Sequence, residues 1–277
     1  MPEMPEVETI CRFLREHVVG KTIAEVDIRL PRLVKWPSPG DFRSLMVGRT
    51  FESLERRAKY LLFHLSGEWV LVIHLRMTGR LFYRDNSQSS NGCARVVFEF
   101  NTGDAMEYSD TRTLGTLYLL KETELNRIYG LTSLGPEPLS AEFSTEYLTA
   151  GFAKRKGKIK TVLLDQAFIG GLGNIYVDES LSRAGLHPER RANTLVEAEI
   201  VRLREAVNFV IEKSICENGT TFRDYRDGAG NKGGFQNELC VYGRKGMPCP
   251  VCGTAIVKME VGGRGTHFCP HCQQEPR

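Results

Sequence analysis

Two cysteine pairs, Cys249-x2-Cys252 and Cys269-x2-Cys272, constrain this chain more than any other stretch, with sixteen residues between them. Each CxxC turn presents two thiolates to one ion. Four thiolates complete a tetrahedral zinc shell and leave no position open for a substrate, so the spacing predicts one structural zinc ion and no catalytic metal. His271 lies inside the second pair, but Cys272 has the better spacing for a ligand. Between the pairs, Ala255–Val261 and Thr266–Phe268 read as strands joined by Gly262-Gly263-Arg264-Gly265, a hairpin with an arginine at its tip. Such a ribbon fixes a cation against DNA, or serves as a protein-binding or purely structural knob. The other cysteines, Cys11, Cys93, Cys216 and Cys240, are scattered, which argues for metal over a disulfide framework.

The chain has 277 residues, 41% apolar and 26% charged, enough for two or three folded domains. Its net charge of +3 permits a nucleic-acid partner without demanding one. Glu6, Glu8, Arg12, Arg15 and Glu16 interrupt the first apolar residues, so no secretory signal is expected. No apolar run approaches the ~20 residues of a membrane span. A cytoplasmic protein is the expectation.

Val7, Ile10, Phe13, Leu14 and Val18 form a helical stripe from Pro5 to about Val18. Thr22–Ile28, Tyr60–Leu65, Trp69–Leu75, Arg95–Phe100 and Thr116–Leu120 then read as short strands, and Asn86–Gly92 as a flexible loop. A linker follows at Leu134-Gly135-Pro136-Glu137-Pro138-Leu139-Ser140, and the pattern beyond it turns helical. Helices are expected at Phe143–Arg155, Ile159–Gln166, Asn174–Ala184 and Leu195–Glu217, the last with a Thr194/Glu197 capping box. The fold class is therefore multi-domain α+β. A β-sandwich with a leading helix spans 1–133, a linker 134–141, a helical domain 142–240 and the finger 241–277. Thr220–Gly234, polar and rich in glycine, is by composition a mobile loop.

Gly170-Gly171-Leu172-Gly173-Asn174 opens a helix whose N-terminus favours an anion. The preceding segment carries Lys154, Arg155, Lys156, Lys158 and Lys160, so a helix–two-turn–helix that grips phosphate is the reading. His74-Leu75-Arg76-Met77-Thr78-Gly79 ends an apolar strand; Met77 there is core packing or a wedge for a gap in a base stack. Asp110-Thr111-Arg112-Thr113-Leu114-Gly115 pairs a cation with an aliphatic two residues on. Arg56-Arg57-Ala58-Lys59 adds cations just before a strand.

The chain starts Met1-Pro2-Glu3-Met4-Pro5-Glu6-Val7-Glu8. Removal of Met1 exposes Pro2 as a secondary amine, whose pKa near ~8 leaves a useful nucleophilic fraction at neutral pH. Its attack on an aldehyde carbon gives a cationic iminium, with Glu3 alongside as acid or base. On those eight residues alone, a solvated start before a helix is the simpler reading.

The motifs taken in order resemble the bacterial formamidopyrimidine-DNA glycosylase family. They include Pro2-Glu3-x-Pro5-Glu6-Val7-Glu8-Thr9, Arg57-x-Lys59, His74-Leu75-Arg76-Met77-x-Gly79, Gly135-Pro136-Glu137-Pro138-Leu139, Leu164-Asp165-Gln166, Gly173-Asn174-Ile175-Tyr176-x-Asp178-Glu179, Tyr242-Gly243-Arg244 and Gly263-Arg264-Gly265-Thr266. The resemblance implies a bifunctional enzyme that excises 8-oxoguanine and formamidopyrimidines from duplex DNA and then cuts the strand at the abasic site. It implies Pro2 as nucleophile on C1′, Glu3 as proton donor, Lys59 as a second donor in β-elimination, and Arg264 as the finger residue assisting δ-elimination. His74, Arg76, Lys156, Asn174, Tyr242 and Lys258 would contact DNA, and Met77, Arg112 and Leu114 would fill the gap left by a flipped base. Thr220, Thr221, Phe222, Arg223, Asp224 and Tyr225 match the loop that closes over that base. No redox cofactor is implied, and a monomer is expected. Leu114 stands where many members carry an aromatic, and Thr78 where some carry glutamate. An endonuclease VIII-like enzyme for oxidised pyrimidines and a non-catalytic lesion binder are the competing readings.

Overall fold

The structure is a computed structural model that describes residues 2–89 and 92–275. Met1, whose removal the sequence reading requires, lies outside the described residues, as do two residues of the expected loop at Asn86–Gly92. The chain forms two compact units, Met1–Thr132 with Glu217–Gly234, and Ser133–Cys216 with Phe235–Arg277. Residues 217–234 therefore fold with the N-terminal part of the chain.

In the first unit the apolar stripe makes helix α1 (Met4–Val18), which buries Val7, Ile10, Cys11, Leu14 and Val18 on one face. After it come β1 (Ile23–Ile28), β2 (Val34–Trp36), α2 (Pro39–Met46), β3 (Phe51–Arg57), β4 (Tyr60–Leu65) and β5 (Trp69–His74). The remaining elements are β6 (Gly79–Arg84), β7 (Ala94–Phe100), β8 (Ala105–Asp110), β9 (Thr116–Lys121) and the single turn α3 (Tyr129–Thr132). One sheet runs β1-β7-β8-β6 and the other β2-β9-β5-β4-β3; only the β2–β9 pairing is parallel. Alternate residues point into one shared core: Leu61, Phe63 and Leu65 from β4, Leu71 and Ile73 from β5, Val96, Phe98 and Phe100 from β7. The expected β-sandwich is present. Strands β2, β3, β6 and β8 and helix α2 are additions to the sequence reading. Charge concealed some of them: Glu52 and Glu55 break the apolar pattern of β3, while Phe51 and Leu54 still face inward.

The second unit contains α4 (Thr145–Ala153), α5 (Ile159–Leu163), α6 (Asn174–Ala184) and α7 (Glu197–Cys216), then the hairpin β10 (Val257–Val261) and β11 (Arg264–Phe268). Tyr176 and Ser214 tie α6 to α7 through a buried 2.6 Å hydroxyl pair. The Thr194/Glu197 capping box does not form. Thr194 ends a 3-10 turn, and Glu199 instead accepts the Val196 N–H at 3.0 Å while Arg190 holds its carboxylate. Two glutamates in the first turn offered equivalent local caps, and a tertiary contact selects the later one. Among the described residues no helix is long and apolar enough to cross a membrane.

Candidate functional site

The first unit contains five of the elements singled out in the sequence: the Pro2-Glu3 start, Arg56–Lys59, His74–Gly79, Asp110–Gly115 and the 220–234 segment. Pro2 and Glu3 are buried, which overturns the solvated-start reading. Glu3 is the N-cap of α1, where its carboxylate accepts the Glu6 N–H. Further along α1, Glu8 accepts from Arg56 at 2.6 Å and from Arg12 at 2.7 Å. Burial raises the Glu8 carboxyl, but the two guanidinium groups outweigh it and hold the group below its ordinary range. This pair ties the helix to the end of β3. Beyond that end, Ala58 takes a left-handed φ of 50° in a two-residue turn that places Lys59, buried, before β4.

His74 ends β5 directly across from Tyr60, whose ring it meets edge-on at 4.5 Å. Burial together with the charges of Arg76 and Lys59 drives its pKa down to about 3. The imidazole is thus neutral at pH 7. Its Nδ1 accepts the Arg76 N–H at 3.0 Å, so the proton sits on Nε2.

Met77 and Leu114 are 36% and 47% exposed, too open for core residues, and Arg76 and Arg112 are exposed beside them. One buried carboxylate holds both loops. Asp110 Oδ1 accepts from the Thr78 hydroxyl at 2.5 Å and from the Arg112 N–H at 3.2 Å, and Oδ2 accepts from the Gly115 N–H at 2.8 Å. In the sequence Asp110 is only the first residue of the Asp110–Gly115 motif. An acid followed by hydroxyl residues and a glycine is its only local signal.

The 220–234 segment has no regular secondary structure but is well tethered. Thr221, buried, accepts the Gly233 N–H at 3.0 Å, Tyr83 donates its N–H to Gly228 at 3.0 Å, and Arg80 pairs with Asp224 at 3.3 Å. Thr220 and Tyr225 are buried, while Phe222 and Arg223 are exposed.

In the second unit the expected basic cluster is divided. Lys154 and Lys156 are exposed, Arg155 lies over the Phe168 ring at 4.1 Å, and Lys158 pairs with Glu189. Lys160 is fully buried and cannot meet a phosphate. Its ammonium donates to Asp178 Oδ1 at 2.6 Å and to the Gly265 carbonyl at 3.1 Å. Gly173, rather than Asn174, caps α6, and the Asn174 amide donates to the same carbonyl at 2.9 Å. Asp178 Oδ2 accepts the His267 N–H at 2.8 Å. These bonds fasten β11, whose first residue is the exposed Arg264. The hairpin turn is only Gly262-Gly263, both with positive φ, so Arg264 sits in the strand register opposite Val261 and not at the tip. Tyr242 is half-buried against His267, and Lys258 is exposed on β10. Glu179 accepts the N–H groups of Cys240, Val241 and Tyr242; burial raises its pKa despite them.

The sulfurs of Cys249, Cys252, Cys269 and Cys272 lie within 4.8 Å of one another, with Cys252–Cys269 at 3.5 Å and Cys249–Cys272 at 4.0 Å. A tetrahedral zinc with Zn–S of ~2.3 Å requires sulfurs ~3.8 Å apart, so the set fits one structural zinc ion. Hydrogen bonds from Thr254 favour the Cys252 thiolate and lower its pKa to about 6. His271 is not part of the cluster.

A sandwich whose loops expose cationic and apolar side chains, joined in one chain to a four-thiolate finger, defines a multi-domain zinc-finger protein suited to nucleic acid. Residues 1–117 match the formamidopyrimidine-DNA glycosylase N-terminal domain, 134–226 its H2TH domain, and 246–274 a zinc finger found in FPG and IleRS. A formamidopyrimidine-DNA glycosylase of Desulforamulus reducens is 45% identical over 99% of both chains, and one of Desulfitobacterium hafniense is 46% identical over 99% of this chain and 100% of its own. Among solved structures, a Lactococcus lactis FPG variant in complex with Fapy-dG-containing DNA superimposes with a TM-score of 0.92 at 36% identity, covering 99% of this chain and all of its own. The chain belongs to the formamidopyrimidine-DNA glycosylase family, and it is a DNA glycosylase of base excision repair.

Proposed function

We propose that the enzyme excises oxidised purines, 8-oxoguanine and formamidopyrimidines, from double-stranded DNA and then cleaves the resulting abasic site by β,δ-elimination. The observation that carries this reading is the burial of Pro2 and Glu3 at the start of α1, where a solvated leader would be exposed. The Lactococcus lactis structures with Fapy-dG DNA and with abasic-site DNA support the substrate class.

With Met1 removed, the Pro2 nitrogen attacks C1′ while the bond from C1′ to the damaged base breaks. Glu3 supplies the proton that opens the deoxyribose ring, and an iminium forms between Pro2 and C1′. That cation acidifies the C2′ protons. Loss of one expels the 3′ phosphate, a step in which Lys59 serves as donor, and a second elimination with Arg264 expels the 5′ phosphate. Zinc contributes the folded finger and no chemical step.

Before this chemistry the base must leave the stack, at a cost of ~a few kcal/mol. Met77 and Leu114 occupy the vacancy, and Arg112 faces the orphaned base. Neutral His74 offers Nε2–H to a phosphate, joined by Arg76, Lys156, Asn174, Tyr242 and Lys258. Residues 220–225 enclose the everted base. The enzyme acts as a monomer in the cytoplasm.

Borohydride trapping on a duplex with one 8-oxoguanine opposite cytosine, followed by peptide mapping, tests this. The expected adduct lies on Pro2 in a peptide lacking Met1. An adduct formed only with an oxidised-pyrimidine duplex would move the enzyme to the endonuclease VIII-like branch. Tight binding with no adduct on either duplex would leave a lesion binder.

A further inference from the structure

Glu6 is a buried carboxylate, 1% exposed, that none of these steps uses. Its Oε2 accepts the Glu3 N–H at 2.7 Å, and its Oε1 accepts the Thr220 N–H at 2.7 Å. The first donor belongs to the reacting N-terminus. The second lies 214 positions away in sequence, at the start of the segment that would enclose the base. The side chain has little room to move. A Cβ built on Gly219, where φ is +81°, would stand 2.9 Å from both Glu6 Cγ and Oε1. Only glycine allows the chain to pass this close in that conformation.

We propose that Glu6 is a positioning residue that latches the 220–234 loop to the Pro2-Glu3 start of α1, so that the loop encloses the base directly over the nucleophile. The proposal rests on the roles given above to Pro2, Glu3 and the loop. A carboxylate can accept from two N–H donors on its two oxygens, whereas an amide turns one acceptor into a donor. In Glu6→Gln, the single remaining oxygen serves the helix cap, because the Glu3 carboxylate already holds the Glu6 N–H from the other side. The amide NH2 then faces the Thr220 N–H and repels it. The loop loses its latch while the helix keeps its start.

The consequence separates the enzyme's two activities. Excision needs the loop closed over a base, but elimination at a preformed abasic site has no base to enclose. In Glu6→Gln, single-turnover excision of 8-oxoguanine is expected to fall by about tenfold or more, the loss attending one charged-group hydrogen bond. Strand cleavage at a preformed abasic site stays within about threefold, and hydrogen exchange at the Thr220 amide accelerates. Gly219→Ala crowds the same contact from the loop side without substituting any residue of α1, and should give the same split. Unchanged excision in both variants, or equal loss of both activities with Thr220 exchange unaltered, would overturn the proposal. Failure of the wild-type enzyme to form a Pro2 adduct is a separate result: it would remove the assigned nucleophile, while the split between excision and loop exchange still reports on the latch.

Discussion

The two units hold their charged side chains in place by different means. In the first, α1 and two sheets share a large apolar core, and short hydrogen bonds accepted by Glu8 and Asp110 pin the end of β3 and the site loops to that frame. In the finger, the described residues include a small buried cluster of Val241, Cys249, Ile256 and Cys269, two of them zinc ligands. Arg264 therefore depends on metal ligation and on the Lys160–Asp178 pair beneath β11. A segment too thin to bury its own core must be held by charge and coordination. Its failures should be local, whereas failures of the sandwich should be global.

Metal removal probes this difference most severely. Structural zinc binding in small zinc domains amounts to about 10–16 kcal/mol at neutral pH, so Cys249→Ser or chelation should abolish amide protection across β10 and β11. Strands β4, β5 and β9 should keep theirs, and loss of protection there by hydrogen exchange would break the comparison. Lys160→Met comes next. It leaves Asp178 charged and buried, a cost of about 3–5 kcal/mol seen as a lowered urea midpoint of the zinc-loaded protein. Adding Asp178→Leu should recover much of that loss; no recovery would mean that the pair is not the fastening.

A smaller effect sharpens the picture of the first unit. The folded pKa of His74 is about 3, below the unfolded value, so native His74 is neutral and its stability contribution is complete above pH 6.5. As pH falls towards 3, the unfolded chain takes up the proton first and stability is lost, by about 2 kcal/mol between pH 7 and 5. His74→Gln should be less sensitive to acid over that window in denaturant titrations, and parallel curves would refute the assignment. The smallest effect concerns the wedge. Leu114 is about half exposed, so Leu114→Ala should shift stability by no more than about 0.5 kcal/mol while lowering affinity for lesion-containing duplex. A large stability loss would show that Leu114 belongs to the core.

Several elements were legible because their signals are local. Tyr60–Leu65 and Asn174–Ala184 appear with the limits that apolar runs and glycine punctuation suggest. The four cysteines meet because two CxxC turns leave each thiol few places to go. Lys160 was misread for the complementary reason. In sequence it is one of five neighbouring cations, and only its partner Asp178, eighteen positions on, removes it from solvent. Glu6 and Asp110 were likewise visible as motif letters but not as connectors, since one donor to each, Thr220 and Thr78, lies on another segment.

The sequence by itself determined the family, the four-cysteine metal site and the order of the domains, because motif spacing and side-chain chemistry survive without coordinates. The tertiary structure decided which carboxylates are buried and what they join. It also decided that residues 217–234 fold with the first unit, and that His74 is neutral. Burial and long-range hydrogen bonding depend on which segments the folded chain brings together, and no local pattern encodes a contact 214 residues away.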